Sequence, residues 1–479
     1  MVEWMLDQFT AALDPRAGLI VAGLTLASMA VAAVAAETAP PERVREFTLP
    51  NGLHIVVIPD HRAPVVTQMV WYKTGAADEP QGDSGIAHFL EHLMFKGTER
   101  IPSGQFSKII AKNGGEDNAF TNHDVTAYFQ RVAKDRLGMA MEMEADRMAN
   151  LRLTEEDVTT ERDVILEERR SRVDNDPGSI LQEQMMAALY RNHPYGTPII
   201  GWEHEIEALD REDALAFYRR FYGPQNAVLV VAGDVEPEEV KELAEKTFGE
   251  IKPTGEVNKR VRPKEPKHDA EVVVTLEDPR AGRTTVQRHY IAPSYASAEP
   301  GEAEALDLLM RIAAHGAVGR IYKRLVVEQK AAASAGGWYT DSGLDSGRLG
   351  FYAIAGEANT ADEIDAAITG VVDELREKGV TQAELDRARF SHIAEFVYNS
   401  DSISRMARQY GGRIAAGMSV ADVEAWPERL NKVTVEDIQA VALKYLNDDD
   451  SVTGILKPAP KFKSSIADKP ARAAGKGKS

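Results

Sequence analysis

The sequence predicts an α/β chain of two homologous domains, and three observations carry that expectation. Its 479 residues exceed what one typical hydrophobic core accommodates. A strand–helix–strand order recurs in the two halves. Between the halves, from about Lys252 to Lys267, the chain is rich in Lys, Pro, Glu and Arg and poor in apolar residues, which reads as an exposed connection.

Taken in order, Gly18 to Ala36 is an apolar run ending in small residues, so residues 1–36 are expected to be a signal peptide cleaved near Ala35 or Ala36, or an uncleaved membrane anchor. The segment before it is unusual for a signal, since Glu3, Asp7 and Asp14 outnumber the single Arg16. In either case the folded part is expected outside the cytoplasm, periplasmic or secreted, with membrane contact only if the segment is retained. The first domain is expected over residues 44–250. It opens with strands on either side of a Pro50-Asn51-Gly52 turn, continues through a strand from Val65 to Lys73, and closes on the buried strand Asn226 to Asp234, which leads into a helix at Pro237. A linker is expected over 251–269. The second domain, 270–457, restarts with Glu271 to Leu276 and a strand near Thr284 to Ile291, then a helix from Glu302 to Ala314, and ends on Ser451 to Leu456. Residues 458–479 carry Lys461, Lys463, Lys469, Arg472, Lys476 and Lys478 among Pro, Ala, Gly and Ser, a composition that predicts a disordered basic tail.

Hydrophobic content of 43% and 27% charged residues are ordinary for a globular protein. The formal charge of −19 argues against nucleic acid as a partner, because phosphate binding needs a basic face. A solvated acidic surface explains the charge, and it is compatible with cationic peptides. The absence of cysteine removes disulfides and thiol nucleophiles.

The run His88-Phe89-Leu90-Glu91-His92 carries the chemistry. On a helix, residues four apart stack on one face, so the two imidazoles meet with the carboxylate beside them. H-x-x-E-H is the inverzincin spacing: the histidines hold Zn²⁺ and Glu91 serves as general base. A catalytic zinc site takes three protein ligands. Thr154-Glu155-Glu156-Asp157 reads as a capping box opening a helix through Val158, Val164, Ile165 and Leu166. Glu161 and Glu168 lie two turns apart on it and share a face, so one can reach the metal while the other braces a ligand histidine. Glu167 competes for the same role, because adjacent glutamates are not separated by pattern.

These residues resemble the pitrilysin, insulysin and mitochondrial processing peptidase family of zinc metallopeptidases. Gly85 before the motif and Met94-Phe95-Lys96-Gly97-Thr98 after it match that family's active-site helix, and Glu161 to Glu168 followed by Asp174-Asn175-Asp176-Pro177 matches its third-ligand segment. The resemblance implies one Zn²⁺ per chain on His88, His92 and Glu168, with Glu161 bracing a histidine and Glu91 as catalytic base. Gly114 to Thr121, continuing to Phe129, is similar to the family's edge strand, which implies that Asn118 and Ala119 contact a peptide added as a further strand. The fold implied is an α+β roll in each domain, a mainly antiparallel sheet packed with helices, the second copy without zinc ligands.

One departure shapes the expected assembly. Active members carry an arginine and a tyrosine, seven residues apart, in the second half; here those positions fall on Val326 and Ala333, which offer neither charge nor a side-chain hydrogen bond. The resemblance therefore implies the zinc-bearing subunit of a heterodimer that encloses its peptide in a chamber, the homologous partner supplying the pair. A self-sufficient homodimer and a non-catalytic peptide-binding subunit are the alternatives.

Overall fold

The computed structural model describes residues 44–254 and 260–459. The expected signal or anchor, and the expected tail from residue 460 onward, lie outside the described residues. Among those described, no helix is long and apolar enough to cross a membrane.

The first sheet is built from β1 (Arg45–Thr48), β2 (His54–Pro59), β3 (Val65–Tyr72), β4 (Glu116–Thr121), β5 (Thr126–Ala133) and β6 (Ala227–Gly233), in the order β1-β2-β6-β3-β5-β4. Only β2 and β6 run parallel. With them come α1 (Ile86–Leu93), α2 (Leu137–Asn150), α3 (Glu155–Arg169), α4 (Pro177–Leu189), α5 (Arg211–Phe221) and α6 (Pro237–Thr247). Alternate strand residues such as Ile55, Val57, Val70 and Leu229 pack one face of the sheet against α1, α2, α3, α5 and α6. The second sheet holds β7 (Val272–Asp278), β8 (Thr285–Ala292), β9 (Ala332–Thr340), β10 (Gly347–Ala355) and β11 (Ser451–Pro458), ordered β9-β10-β8-β11-β7, with β7 and β11 parallel. Its helices are α7 (Glu302–Ala314), α8 (Ala361–Lys378), α9 (Gln382–Asn399), α10 (Ile403–Ala415) and α11 (Val435–Tyr445).

In both sheets the last strand runs parallel to an early one, and the first helix after the second long strand opens on a left-handed glycine: Gly85 at φ 90 before α1, Gly301 at φ 87 before α7. Aligned on these glycines, Glu304, Asp307 and Leu308 stand where the first domain has His88, Glu91 and His92. The second copy thus keeps an acid at one position, has another in place of the first imidazole, and lacks both histidines.

Two helices cross between the halves. α4 leaves the first domain and packs Leu181, Met185 and Leu189 on Val452 and Leu456 of the second sheet. α10 leaves the second and packs Ala407, Tyr410 and Ile414 on Met69, Trp71, Val228 and Val230 of the first. Both β6 and the strands beside it are therefore covered on two faces, which is why Ala227 to Gly233 reads as an unbroken apolar run. Close approach requires glycine at each crossing: a Cβ on Gly411 would stand 2.0 Å from Trp71 Nε1, and one on Gly454 2.1 Å from Met185 Sδ.

Most described residues of the connection are exposed, but the side chains of Arg262 and His268 are drawn in between the domains. Arg262 is buried, its Nη2 3.0 Å from Asp78 Oδ1 and its Nη1 3.0 Å from Asp345 Oδ2, with Asp124 as a third partner. Tyr195 Oη donates to Asp124 at 2.6 Å, and His268 is buried against the carbonyl of Leu189 at 2.9 Å. Charged residues were read as solvent-facing; here a cluster of aspartates from both domains gives the guanidinium enough partners to be buried.

Candidate metal centre

The short helix α1 owes its placement to its start. Glu79 accepts the N–H of Gly85 at 3.0 Å and of Ala87 at 2.9 Å, satisfying donors that a helix N-terminus leaves open. A Cβ on Gly85 would come within 2.6 Å of the Ile200 carbonyl, so glycine is required by both conformation and space. From there Ile86, Ala87, Phe89, Leu90 and Leu93 enter the core and carry His88, Glu91 and His92 to its rim, each of the first two under a tenth exposed.

The third element is α3, capped by Thr154, whose hydroxyl accepts from the Asp157 N–H while Asp157 returns the bond. Glu161 and Glu168 of this helix both face α1. His92 Nδ1 lies 2.9 Å from Glu161 Oε1. Glu168 Oε1 is 3.8 Å from His88 Nε2, and its Oε2 is 3.5 Å from His92 Nε2. Glu167, the competing glutamate, points away: its side chain is 73% exposed and pairs with Arg170.

His88, His92 and Glu168 each offer one ligand atom within 4.8 Å of the others, the single such group among the described residues. Ligand atoms about 2 Å from a tetrahedral Zn²⁺ stand about 3.4 Å apart, so the observed separations are those of a site that closes slightly around its ion. The protonation pattern agrees. Burial, reinforced by His92 and Arg172, lowers His88 to about 3, so the ring is neutral with a lone pair to offer. Burial also opposes charge on His92, but the bond to Glu161 and the surrounding carboxylates outweigh it and raise its pKa. The Glu161 carboxylate accepts the Nδ1–H and leaves Nε2 directed at Glu168. Glu161 itself is held below the usual range despite burial, by His92 and by an ion pair with Lys96.

Glu91 lies beside this group. Burial pushes its pKa up, and a 2.6 Å hydrogen bond donated by Thr121 Oγ1 draws it back. Thr121 is the last residue of β4, the outermost strand, which pairs only with β5. The open edge thus runs up to the candidate base. Asn118 and Ala119 lie on it, and the Ala119 N–H is met by the Asn118 side-chain oxygen at 2.8 Å. Thr121, Lys96, Glu79 and Arg172, which pairs with Glu168, are contacts the sequence reading did not assign. Thr121 lies inside the strand segment already singled out, Arg172 stands four residues after Glu168, and Glu79 bonds the start of α1 from six and eight residues before; only the Lys96–Glu161 pair requires α1 and α3 side by side.

In the second domain Val326 packs against the core and Ala333 is exposed on β9. The arginine and tyrosine that stand near these positions, Arg324 and Tyr339, are engaged elsewhere: Arg324 with Glu374 at 2.7 Å, and Tyr339 with the Pro293 carbonyl.

Two imidazoles and a carboxylate with ligand atoms within 4.8 Å of one another, and a buried glutamate alongside, form a group that could hold a metal ion. The family described as Insulinase (Peptidase family M16) matches residues 54–203, and the Peptidase M16 inactive domain matches residues 208–391. The Zinc protease PqqE of Helicobacter pylori is 31% identical over 417 residues, covering 86% of this chain and 92% of that protein. This chain belongs to peptidase family M16. A probable mitochondrial-processing peptidase subunit beta of Arabidopsis thaliana is 27% identical over 441 residues, 88% of this chain and 79% of that one. The crystal structure of a protease from Helicobacter pylori superposes with a TM-score of 0.82 at 30% identity, covering 87% of this chain and 99% of its own. A putative M16-like peptidase from Alicyclobacillus acidocaldarius, 22% identical with a TM-score of 0.77 over 88% of this chain and all of its own, shares the fold.

Proposed function

We propose that this chain is a zinc-dependent endopeptidase that hydrolyses short or unfolded peptides laid along β4 as an added strand. The observation that carries this reading is the convergence of His88, His92 and Glu168 beside Glu91 at the end of a strand edge that is unpaired among the described residues. His88, His92 and Glu168 would hold one Zn²⁺, and Glu161 would fix the orientation of His92. Bound there, the ion would supply Lewis acidity toward the scissile carbonyl and lower the pKa of water. The Glu91 carboxylate takes a proton from the water that attacks the carbonyl carbon. It then delivers that proton to the amine nitrogen as the C–N bond breaks. Thr121 keeps the carboxylate ionised and aimed. The edge groups of Asn118 and Ala119 bind backbone, which makes affinity largely independent of side-chain sequence.

The chain acts as the zinc-bearing member of a heterodimer enclosing a chamber, a reading supported by Val326 and Ala333 and by the engaged state of Arg324 and Tyr339. It works outside the cytoplasm, as the apolar run from Gly18 to Ala36 suggests. The test is cleavage of a quenched fluorescent peptide library by the purified zinc-loaded chain, alone and with homologous chains lacking H-x-x-E-H, with a chelator control. Chelator-sensitive cleavage that needs the partner is the expected result. Full-rate cleavage by the chain alone would reject the split site.

A further inference from the structure

We infer that Arg408, with Arg405 one turn before it, forms a subsite selecting an acidic side chain of the bound peptide on the face of the first sheet turned away from α1; the inference rests on the peptidase reading above. Strand geometry defines the two faces. Ala119 packs toward the core beneath α1 and Thr121 reaches Glu91, whereas Phe120 belongs to the opposite face with Ala127 and Phe129. A peptide strand added beyond β4 lies about 4.8 Å away and alternates in the same way. Its residue opposite Phe120 therefore turns toward α10, with its Cβ about 5 Å from that of Phe120.

The residue waiting there is Arg408. α10 is held against the sheet by Ala407, Tyr410 and Ile414, which leaves Arg408 beside the strand edge. Its guanidinium carbon stands 4.5 Å from the Phe120 ring and 5.4 Å from the Phe129 ring. Those rings fix the planar group in place but do not neutralise it. Among the described residues Arg408 has no carboxylate partner, and the Arg405 guanidinium makes one hydrogen bond, to Asn399 Oδ1 at 3.0 Å. Both line a cavity of about 440 Å³ between α9 and α10. Two acids of that cavity have partners of their own, Glu395 with Arg311 at 2.9 Å and Asp307 with His392 at 2.8 Å and Tyr295 at 3.0 Å, and the third, Asp341, is held toward its neutral form by burial and by Asp307. The uncommitted charge next to the peptide is thus positive, in a fork that matches a carboxylate. In a chain of net charge −19 this is a local reversal, and it distinguishes one substrate position from its neighbours.

The experiment uses an unstructured peptide set in which one Glu is moved position by position, with Gln at the same place as control. Cleavage is measured with the wild-type chain and any partner it needs. Binding is measured by fluorescence anisotropy with zinc-loaded Glu91→Gln. A Glu-over-Gln preference of roughly three- to tenfold is expected at positions of one parity only. It should fall to about one in Arg408→Gln and turn into a preference for Lys in Arg408→Glu. Absence of a positional preference in the wild type, or its survival in both variants, overturns the subsite. Failure of the peptidase reading looks different: no peptide is cleaved, while the anisotropy series still reports whether Glu is preferred.

Discussion

Glu91 is asked to be a base although burial favours its protonated form. The Thr121 hydroxyl is the group that counters this, since a donor to a carboxylate stabilises its charged state. Thr121→Val removes the donor and keeps the shape, so the Glu91 pKa rises further and the base is lost to protonation sooner as pH falls. The acid limb of the kcat/KM profile should move to higher pH; a limb that stays put, or moves down, contradicts the assigned role. At this scale the sequence was most readable where interactions are local. His88, Glu91 and His92 share a helix turn, and Thr154 with Asp157 caps its own helix. Thr121 and Lys96 were not legible, because each meets its partner only through tertiary packing. The pattern also left Glu167 and Glu168 undivided; the twist of α3 separates them, turning Glu167 to solvent.

Among the described residues β4 is an edge strand with no neighbour on its outer side, and of the edge strands it is the one that ends beside Glu91. The Ala119 N–H points to that edge and is occupied by Asn118's own amide oxygen, which an incoming strand would replace. Ala119→Pro removes the donor while leaving the β4–β5 ladder, and proline is tolerated on an outer edge. It should raise KM for peptides several-fold with little change in zinc content or melting temperature; unaltered KM would remove β4 from peptide binding. Strand and helix identities were legible from period and turn residues, as in the helix from Glu302 to Ala314. What each helix packs against was not. α10 reads as an ordinary amphipathic helix of the second half, yet its apolar face, opened by Gly411, lies on the first sheet.

At the level of the molecule, the two halves are held by exchanged helices and by the Arg262 cluster. Asp78 precedes Glu79, which caps α1; Asp124 closes the turn after β4; Asp345 belongs to the second domain. One guanidinium therefore ties the zinc-motif helix, the peptide edge and the other half together. Arg262→Met leaves three aspartates facing one another and should cost about 3–5 kcal/mol of stability. Calorimetry should show a lowered melting temperature, partly recovered in Arg262→Met with Asp345→Asn; an unchanged transition would make the connection a passive tether. The duplication was legible from recurring strand–helix–strand order, but the pairing of Arg262 with three aspartates was not, because composition counts charges without pairing them.

The central claim is that Glu91 performs proton transfer at a zinc centre held by His88, His92 and Glu168. Zinc content and peptide hydrolysis measured side by side for wild type and Glu91→Gln, with the partner present if one is needed, test it most directly. Equal zinc content near one ion per chain and a loss in kcat of about 10²–10⁴-fold are the expected results. Hydrolysis at the wild-type rate by Glu91→Gln, with zinc bound, would contradict it.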